Sequence, residues 1–362
     1  MRTPLHPEHV ALGARIIDFH GWDMPVSYAG ILEEHAAVRT KAGLFDLCHM
    51  GRLSVEGPEA PAFLSRMVTQ NPDTLPIGKA RYGFLLDEAG GIIDDIIVYR
   101  EPDRFFVVVN AGNRTDVVAW LDRHRPPGNR VVMRDLSDDL AFIAIQGPAS
   151  AAIVSGPLGP AVAKLPYYGC VRTRAWGTDL FVARTGYTGE DGFEIAYPVA
   201  TAGAVWNELL KAGRPSGLVP AGLGARDTLR TEAAMPLYGQ ELSREINPVE
   251  AGLTFAVDFG KKDFVGKAAL ERIHAAGPAR RRFGFRSLGK RIPRTGYAVF
   301  RGGTPAGVVT SGTYSPTAGA PIGMGYLEGP PAKPGERIEI DIRGRREPAE
   351  TAAMPFYKRK KT

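Results

Sequence analysis

Cysteine is nearly missing from this chain, with Cys48 and Cys170 the only two among 362 residues. They form neither a disulfide framework nor a CxxC motif, so a reducing compartment is consistent and neither thiol stands out as a nucleophile. The seven histidines make no HxxxH or HExxH pair that would set two imidazoles on one helical face, and no metal is expected. Apolar runs long enough to span a bilayer are absent, which argues against membrane association. The opening Met1-Arg2-Thr3-Pro4-Leu5-His6-Pro7-Glu8-His9 has no apolar signal core, so a cytoplasmic protein is expected. Nucleotide motifs are missing too: there is no GxxxxGK[ST] loop, no FAD fingerprint, and Gly323-Met324-Gly325 lacks the third glycine of a dinucleotide loop. A GxSxG elbow is likewise absent. The net charge of +6 suits anionic partners, but basic residues cluster only in Arg280-Arg281-Arg282 and in Lys358-Arg359-Lys360-Lys361. Both read as solvated segments, and without interleaved aromatics no nucleic-acid binding is expected.

What is present is a globular composition, 44% apolar and 23% charged, on a chain long enough for two or three domains. A weak internal repeat organises the first part. Leu53-Ser54-Val55-Glu56-Gly57-Pro58 leads into the amphipathic Phe63-Leu64-Met67-Val68, and Phe142-Ile143-Ala144-Ile145-Gln146-Gly147-Pro148 repeats the design. Each copy then offers several strands and a helix carrying Trp120 or Trp206, which predicts two related α+β modules. After the helix around Phe264–Leu270 the pattern changes near Gly277-Pro278. Short alternating runs follow, Phe283-Gly284-Phe285, Tyr297–Phe300, Val308–Thr310 and Arg337–Ile342, and predict a small antiparallel β-barrel or jelly roll.

Two segments break the pattern of a plain core. In Arg184-Thr185-Gly186-Tyr187-Thr188-Gly189-Glu190-Asp191-Gly192-Phe193-Glu194 three glycines permit positive φ or close approach, and Glu194 enters a strand whose other face is Phe193, Ile195 and Tyr197. A hairpin with an edge acid is the bland alternative. In Gly90-Gly91-Ile92-Ile93-Asp94-Asp95-Ile96-Ile97 two carboxylates interrupt a buried-looking strand. Successive side chains point to opposite faces, so the two cannot look into one cavity or share one role, and one is aimed inward. A salt-bridged strand end is the alternative. Arg226, in the first turn of a helix after Pro220-Ala221-Gly222-Leu223-Gly224, opposes the helix dipole and is a candidate for a specific acceptor, with a solvated face shared with Arg230 as the alternative.

Taken together with Arg2–Leu5, Gly21-Trp22-Asp23-Met24-Pro25, Gly43–Asp46, His49-Met50-Gly51, Val109-Asn110-Ala111, Gly222–Asp227 and Leu237-Tyr238-Gly239-Gln240, these segments resemble the glycine-cleavage T-protein family, the tetrahydrofolate-dependent aminomethyltransferases, along nearly the whole chain. The resemblance implies an α+β cloverleaf of three domains around a folate channel: residues 1–50 with 137–275, residues 51–136, and a C-terminal barrel over 280–362. It also implies transfer of a one-carbon unit from the aminomethylated lipoyl group of an H-protein to tetrahydrofolate, polyglutamylated in form, with release of ammonia. Asp95 matches the family's catalytic aspartate, and Tyr82, Asn110, Tyr187, Glu194 and Arg226 match positions lining the folate site. A carboxylate such as Glu194 suits the paired N–H donors of a pterin edge. The alternatives on this fold are a folate-dependent O- or S-demethylase and a non-catalytic folate binder. Met235–Glu241 lacks the cysteine of the related iron-sulfur-maintenance branch, whereas Cys48 replaces the usual serine and Thr69-Gln70-Asn71 departs from the usual Thr-Asn-Asp.

Overall fold

The computed structural model describes residues 1–359, so Lys360 and Lys361 of the basic tail lie outside the described residues. The chain opens with α1 (His6–Ala11), the hairpin β1 (Arg15–Phe19) and β2 (Trp22–Ser27), α2 (Ile31–Thr40) and β3 (Ala42–Asp46). The first repeat follows as β4 (Gly51–Glu56), α3 (Ala60–Met67), β5 (Lys79–Leu86), β6 (Ile92–Arg100), β7 (Arg104–Val109), α4 (Arg114–His124) and β8 (Val132–Asp135). The second is β9 (Leu140–Gln146), α5 (Ser150–Leu158), α6 (Pro160–Ala163), β10 (Cys170–Ala175), β11 (Thr178–Ala183), β12 (Gly192–Pro198), α7 (Ala202–Gly213), β13 (Leu218–Pro220) and α8 (Leu223–Glu232). After α9 (Lys267–Ala276) come β14 (Arg280–Ser287), β15 (Ala298–Arg301), β16 (Thr304–Ser315), β17 (Ala320–Glu328), β18 (Arg337–Ile342) and β19 (Arg345–Ala352).

The repeat in the sequence is a repeat of topology. One sheet is ordered β5-β6-β7-β4-β8 and the other β10-β11-β12-β9-β3-β13, a three-stranded meander beside the strand that opens each copy. Strand alternation explains how the sheets stack. In β12, Phe193, Ile195 and Tyr197 join a core with Trp206 and Leu209 of α7 and Ile153 of α5, while Ala196 points to the other face. In β7, Phe105, Val107 and Val109 pack with Trp120 and Leu121 of α4, while Phe106 and Val108 point away. Those opposite faces meet each other, with Phe106 and Phe181 rings 4.8 Å apart and the alanines at 144, 183 and 196 allowing the approach. Both sheets are thus covered on both faces, and each fully buried large side chain contributes roughly 1.5–3 kcal/mol.

The last six strands close into a barrel, β14-β17-β16-β15-β18-β19, with Ile338, Ile340 and Ile342 of β18 alternating into its core. Gly323-Met324-Gly325 belongs to β17, where Phe285 pairs with Gly323 and Phe283 with Gly325. A Cβ on Gly323 would stand 2.4 Å from the Phe285 ring and one on Gly325 2.9 Å from the Phe283 ring, so the glycines make room for cross-strand aromatics. Between α8 and α9, Leu242, Leu253 and Phe264 pack with Phe84 and Ile92 of the five-stranded sheet and with Tyr326 of the barrel, joining those two bodies. Glu232, fully buried at the end of α8, adds a polar tie: it accepts from His35 and Arg39 of α2 and from Ser315 and Thr317 of the barrel. Among the described residues no helix is long and apolar enough to cross a membrane.

Candidate active site

A cavity of about 950 Å³ opens where the two sheets, the loops after α8 and the barrel converge, and Tyr82, Asp95, Asn110, Tyr187, Glu194 and Arg226 all stand in its wall. These residues come from β5, β6, the end of β7, the glycine loop, β12 and α8. The volume is at the upper end of what small-molecule sites enclose.

At one end lies the acidic pair. In β5 and β6, Phe84 pairs with Asp95 and Leu85 with Asp94, but Leu86 pairs with Ile92, leaving Ile93 as an extra residue. Pairing of β6 with β7 begins only at Ile97 and Val108, so Asp94 and Asp95 project past that strand's end, where Asn110 turns into a short 3-10 segment. Asp95 lines the cavity and accepts from the Tyr82 hydroxyl at 3.0 Å. Asp94 is fully buried and accepts from the Asn110 backbone N–H at 2.9 Å, the Asn110 amide at 2.8 Å and the Asn113 amide at 2.6 Å. Neither acid is paired with a cation among the described residues, which removes the salt-bridged strand end. Alternation does send only Asp95 into the cavity wall, but the Asn110 amide stands off the strand end and reaches both acids, 2.7 Å from Asp95 Oδ1. Burial raises both carboxyls above the ordinary aspartate value, the charge of Asp95 adding to the rise at Asp94, while the amide and Tyr82 bonds oppose it.

At the other end Glu194 sits on β12, which pairs with both β11 and β9 and is therefore no edge strand. Its Oε2 accepts from Thr185 Oγ1 at 2.5 Å and Tyr99 at 3.2 Å, and no residue among those described donates to Oε1. Burial raises its pKa, with the Thr185 bond and the Arg226 charge opposing. The loop glycines serve close approach: a Cβ on Gly186 or Gly192 would fall 1.9 Å or 2.3 Å from the Gln146 side chain, which itself bonds Thr185 and Thr188. Arg226 lies with its guanidinium 4.7 Å over the Tyr187 ring, yet its Nη1 is buried without a hydrogen-bond partner among the described residues. Burial pulls its pKa down, and Tyr187 and Glu194 hold it up. A charged donor left in that condition costs more than the 1–3 kcal/mol of a neutral one, roughly speaking, and so calls for a ligand acceptor. The solvated face proposed for Arg226 with Arg230 does not exist: Arg230 is 1% exposed and bound to Glu241 and Asp227.

Several wall residues escaped the sequence reading. Arg282, within a triplet read as solvated, lines the cavity and donates to Ala234 O, because strand alternation turns it inward. Phe255 is 73% exposed at the wall with its ring nearly parallel to that of Tyr82, a placement no periodicity announces. Met354 and Pro355 of the tail also reach the wall. Asn113 was within reach of sequence reasoning, since a helical turn after Asn110 returns its amide to the same acid. Cys48 lies buried, exchanging hydrogen bonds with the Phe142 backbone, and burial holds its thiol well above the ordinary value. Cys170 is raised likewise, to about 12. Among the described residues no group of three His, Cys, Asp or Glu is placed to hold a metal ion.

Known proteins resemble this chain along nearly its whole length. Residues 5–261 match the profile described as the GCVT N-terminal domain, and residues 280–358 match the glycine cleavage T-protein C-terminal barrel domain. The chain is 45% identical over 363 residues to an aminomethyltransferase of Bacillus pumilus, covering 99% of each protein. It is 47% identical over 361 residues to an aminomethyltransferase of Rubrobacter xylanophilus, covering 99% of this chain and 95% of that one. The crystal structure of glycine cleavage system aminomethyltransferase T from Bartonella henselae superposes with a TM-score of 0.92 at 35% identity, over 99% of this chain and 98% of that chain.

Proposed function

Because the chain belongs to the glycine cleavage T-protein family and is an aminomethyltransferase of the glycine cleavage system, we propose that its cavity takes tetrahydrofolate as the one-carbon acceptor and the lipoyl arm of an H-protein as the donor. The observation that carries this reading is the pairing of an open Glu194 oxygen with the unpartnered Arg226 guanidinium in one buried cavity. A pterin presents an N–H beside an amino group, which a carboxylate accepts as two parallel bonds, and a carbonyl and ring nitrogen on the opposite edge, which a guanidinium can supply with donors. Tyr187, beneath Arg226, and Asn110 complete the lining.

In the reaction, R–S–CH2–NH2 and tetrahydrofolate give 5,10-methylenetetrahydrofolate, ammonia and R–SH. The carbon's bonds to sulfur and nitrogen break, two bonds to folate nitrogens form, and the two protons those nitrogens lose end on ammonia and the thiol. Asp95 is the group placed for the proton work. Burial makes it more basic than a solvent-exposed aspartate, and Tyr82 and Asn110 hold it at the wall, so it can orient the weakly nucleophilic arylamine nitrogen, accept its proton and stabilise cationic character. The net charge of +6 favours approach of an acidic carrier. The six-stranded sheet, the five-stranded sheet and the barrel support a division into 1–50 with 137–275, 51–136, and 280–362, the last three residues lying outside those described. A cytoplasmic location is part of the proposal and is consistent with two free thiols.

The test is the purified chain with aminomethylated lipoyl carrier and tetrahydrofolate, following methylenetetrahydrofolate and ammonia together. Both should form in equal amounts. No methylenetetrahydrofolate from a carrier shown to be loaded would overturn the proposal.

A further inference from the structure

The least expected group in the molecule is Asp94. It is a fully buried carboxylate beside a second acid, and among the described residues its hydrogen-bond donors are all N–H groups and none is a cation. An asparagine would fill the same space without the penalty of burying charge, so packing alone does not account for an acid here. What the carboxylate does that an amide could not is accept from every direction. The Asn110 amide nitrogen has two hydrogens and three acceptors in reach, Asp94 Oδ1 at 2.8 Å, Asp95 Oδ1 at 2.7 Å and the Asp95 backbone carbonyl at 3.2 Å, and the two shorter bonds take one hydrogen to each carboxylate. The amide therefore has a single orientation, with its carbonyl oxygen turned away from both acids. Asn113, at 2.6 Å from the same Asp94 oxygen, and the Asn110 backbone N–H hold Asp94 in turn.

We propose that Asp94 is a positioning residue for the transfer reaction: acting through the Asn110 amide, it fixes where the Asp95 carboxylate points. Among the described residues Asp95 has two side-chain anchors, Tyr82 on Oδ2 and Asn110 on Oδ1, so releasing the second frees the carboxylate to rotate about the first. Misplacement of a reacting group by about 1 Å is enough to cost on the order of 100-fold in rate. The inference rests on Asp95 being the acid-base group of the proposed site.

Asp94→Asn tests it. The new amide must oppose one of its own hydrogens to an N–H that the carboxylate accepted, so the Asn110 side chain loses its single orientation. Single-turnover transfer at saturating tetrahydrofolate should slow by about 10- to 100-fold, while the folate dissociation constant from calorimetry stays within about threefold, since the Glu194 and Arg226 end of the cavity that would hold the pterin is left untouched. In an Asn110→Ala background the same substitution should add less than about threefold, because the link is already cut. A rate loss below about twofold in Asp94→Asn, or an undiminished loss in the Asn110→Ala background, overturns the proposal. Thermal melts establish folding, and if Asp94→Asn does not fold, Asn113→Ser, which removes one anchor from Asp94, should slow transfer with unchanged melting temperature. An unaltered rate there also overturns it. Asp95→Asn is measured alongside: wild-type transfer in that variant would mean that the reading of the site has failed, whereas a slow Asp95→Asn beside a fast Asp94→Asn rejects the positioning role alone.

Discussion

Replacing Asp95 by asparagine removes a proton-accepting oxygen while leaving the shape of the site. The asparagine carbonyl can still accept the Tyr82 hydroxyl now bound at 3.0 Å. Its other end then turns an amide toward the Asn110 amide, where a 2.7 Å bond had been, so two donors face each other and about 1 kcal/mol is lost locally. That loss falls on the wall and leaves the Glu194 and Arg226 end untouched, so tetrahydrofolate should bind within about tenfold of its normal affinity. The transfer rate should fall by about 10²–10⁴-fold, the scale of a positioned acid-base group. The pH dependence gives a second readout. Since burial raises Asp95 above its ordinary 3.8, the rate of the unaltered protein should decline on the acid side with a midpoint above that value, and Asp95→Asn should lack that decline. Stability should move the opposite way. A carboxyl whose folded pKa is raised stabilises the fold below the unfolded value and loses that advantage as pH rises through the folded value, so the charged Asp95 is a net cost near neutrality. Asp95→Asn should then melt at the same or a higher temperature at pH 8, and show no such gain at pH 3. The assay is single-turnover transfer from the aminomethylated carrier at saturating folate from pH 5 to 8, with thermal melts in parallel. A rate within fivefold of normal, or an unchanged acid limb, would refute the assignment.

The remaining predictions concern the other end of the cavity, the thiols and the barrel. Glu194→Ala and Arg226→Ala should each weaken tetrahydrofolate binding by roughly 1–3 kcal/mol in calorimetry, because each leaves ligand polar groups desolvated without a partner; unchanged affinity in both would remove them from the site. Cys48→Ser with Cys170→Ser should keep most transfer activity, since both thiols are buried and held protonated at neutral pH, and loss of turnover in a folded double variant would contradict that reading. Although burial pushes Glu232 up, bonds from His35, Ser315 and Arg39 bring it to about 2 from 4.5, so its contribution is complete above pH 4.5 and disappears as pH falls toward 2. Glu232→Gln should therefore destabilise the protein by about 3 kcal/mol at pH 7 in urea titration and by much less at pH 2.5, and equal losses at the two values would show that the charge is irrelevant.

Much of the architecture was legible because it rests on local pattern. The period-2 alternation of Phe193, Ile195 and Tyr197 marks a strand with two different faces, and the Gly-Pro turns at 57–58 and 147–148 precede a helix in both repeats. The barrel was visible in β18, where isoleucines alternate, but β17 and β19 were passed over. Glycine in β17 and the run Arg345-Arg346-Glu347-Pro348 in β19 look like loop when the rings lying over the glycines, Phe283 and Phe285, are unknown. Arg282 was misread for a related reason: a charge run gives no sign of which member a strand turns inward.

The sequence by itself determined much of the secondary structure, the duplicated module, the family and the residue types of the candidate site, since periodicity, turn chemistry and motif order are properties of neighbours along the chain. Tertiary structure alone decided which charges are satisfied. Arg230 and Arg226 lie one turn apart on α8, yet Arg230 finds Glu241 and Asp227 while Arg226, among the described residues, finds a tyrosine face and no ion-pair partner. Asp94 and Asp95 alternate as any strand pair must, but an asparagine beyond the end of β7 reaches around the alternation and joins them. Pairing of this kind is set by three-dimensional distance, and sequence separation does not announce it: Glu241 meets Arg230 and Asn110 meets both acids only through the way the loops after α8 and β7 turn back in the folded protein.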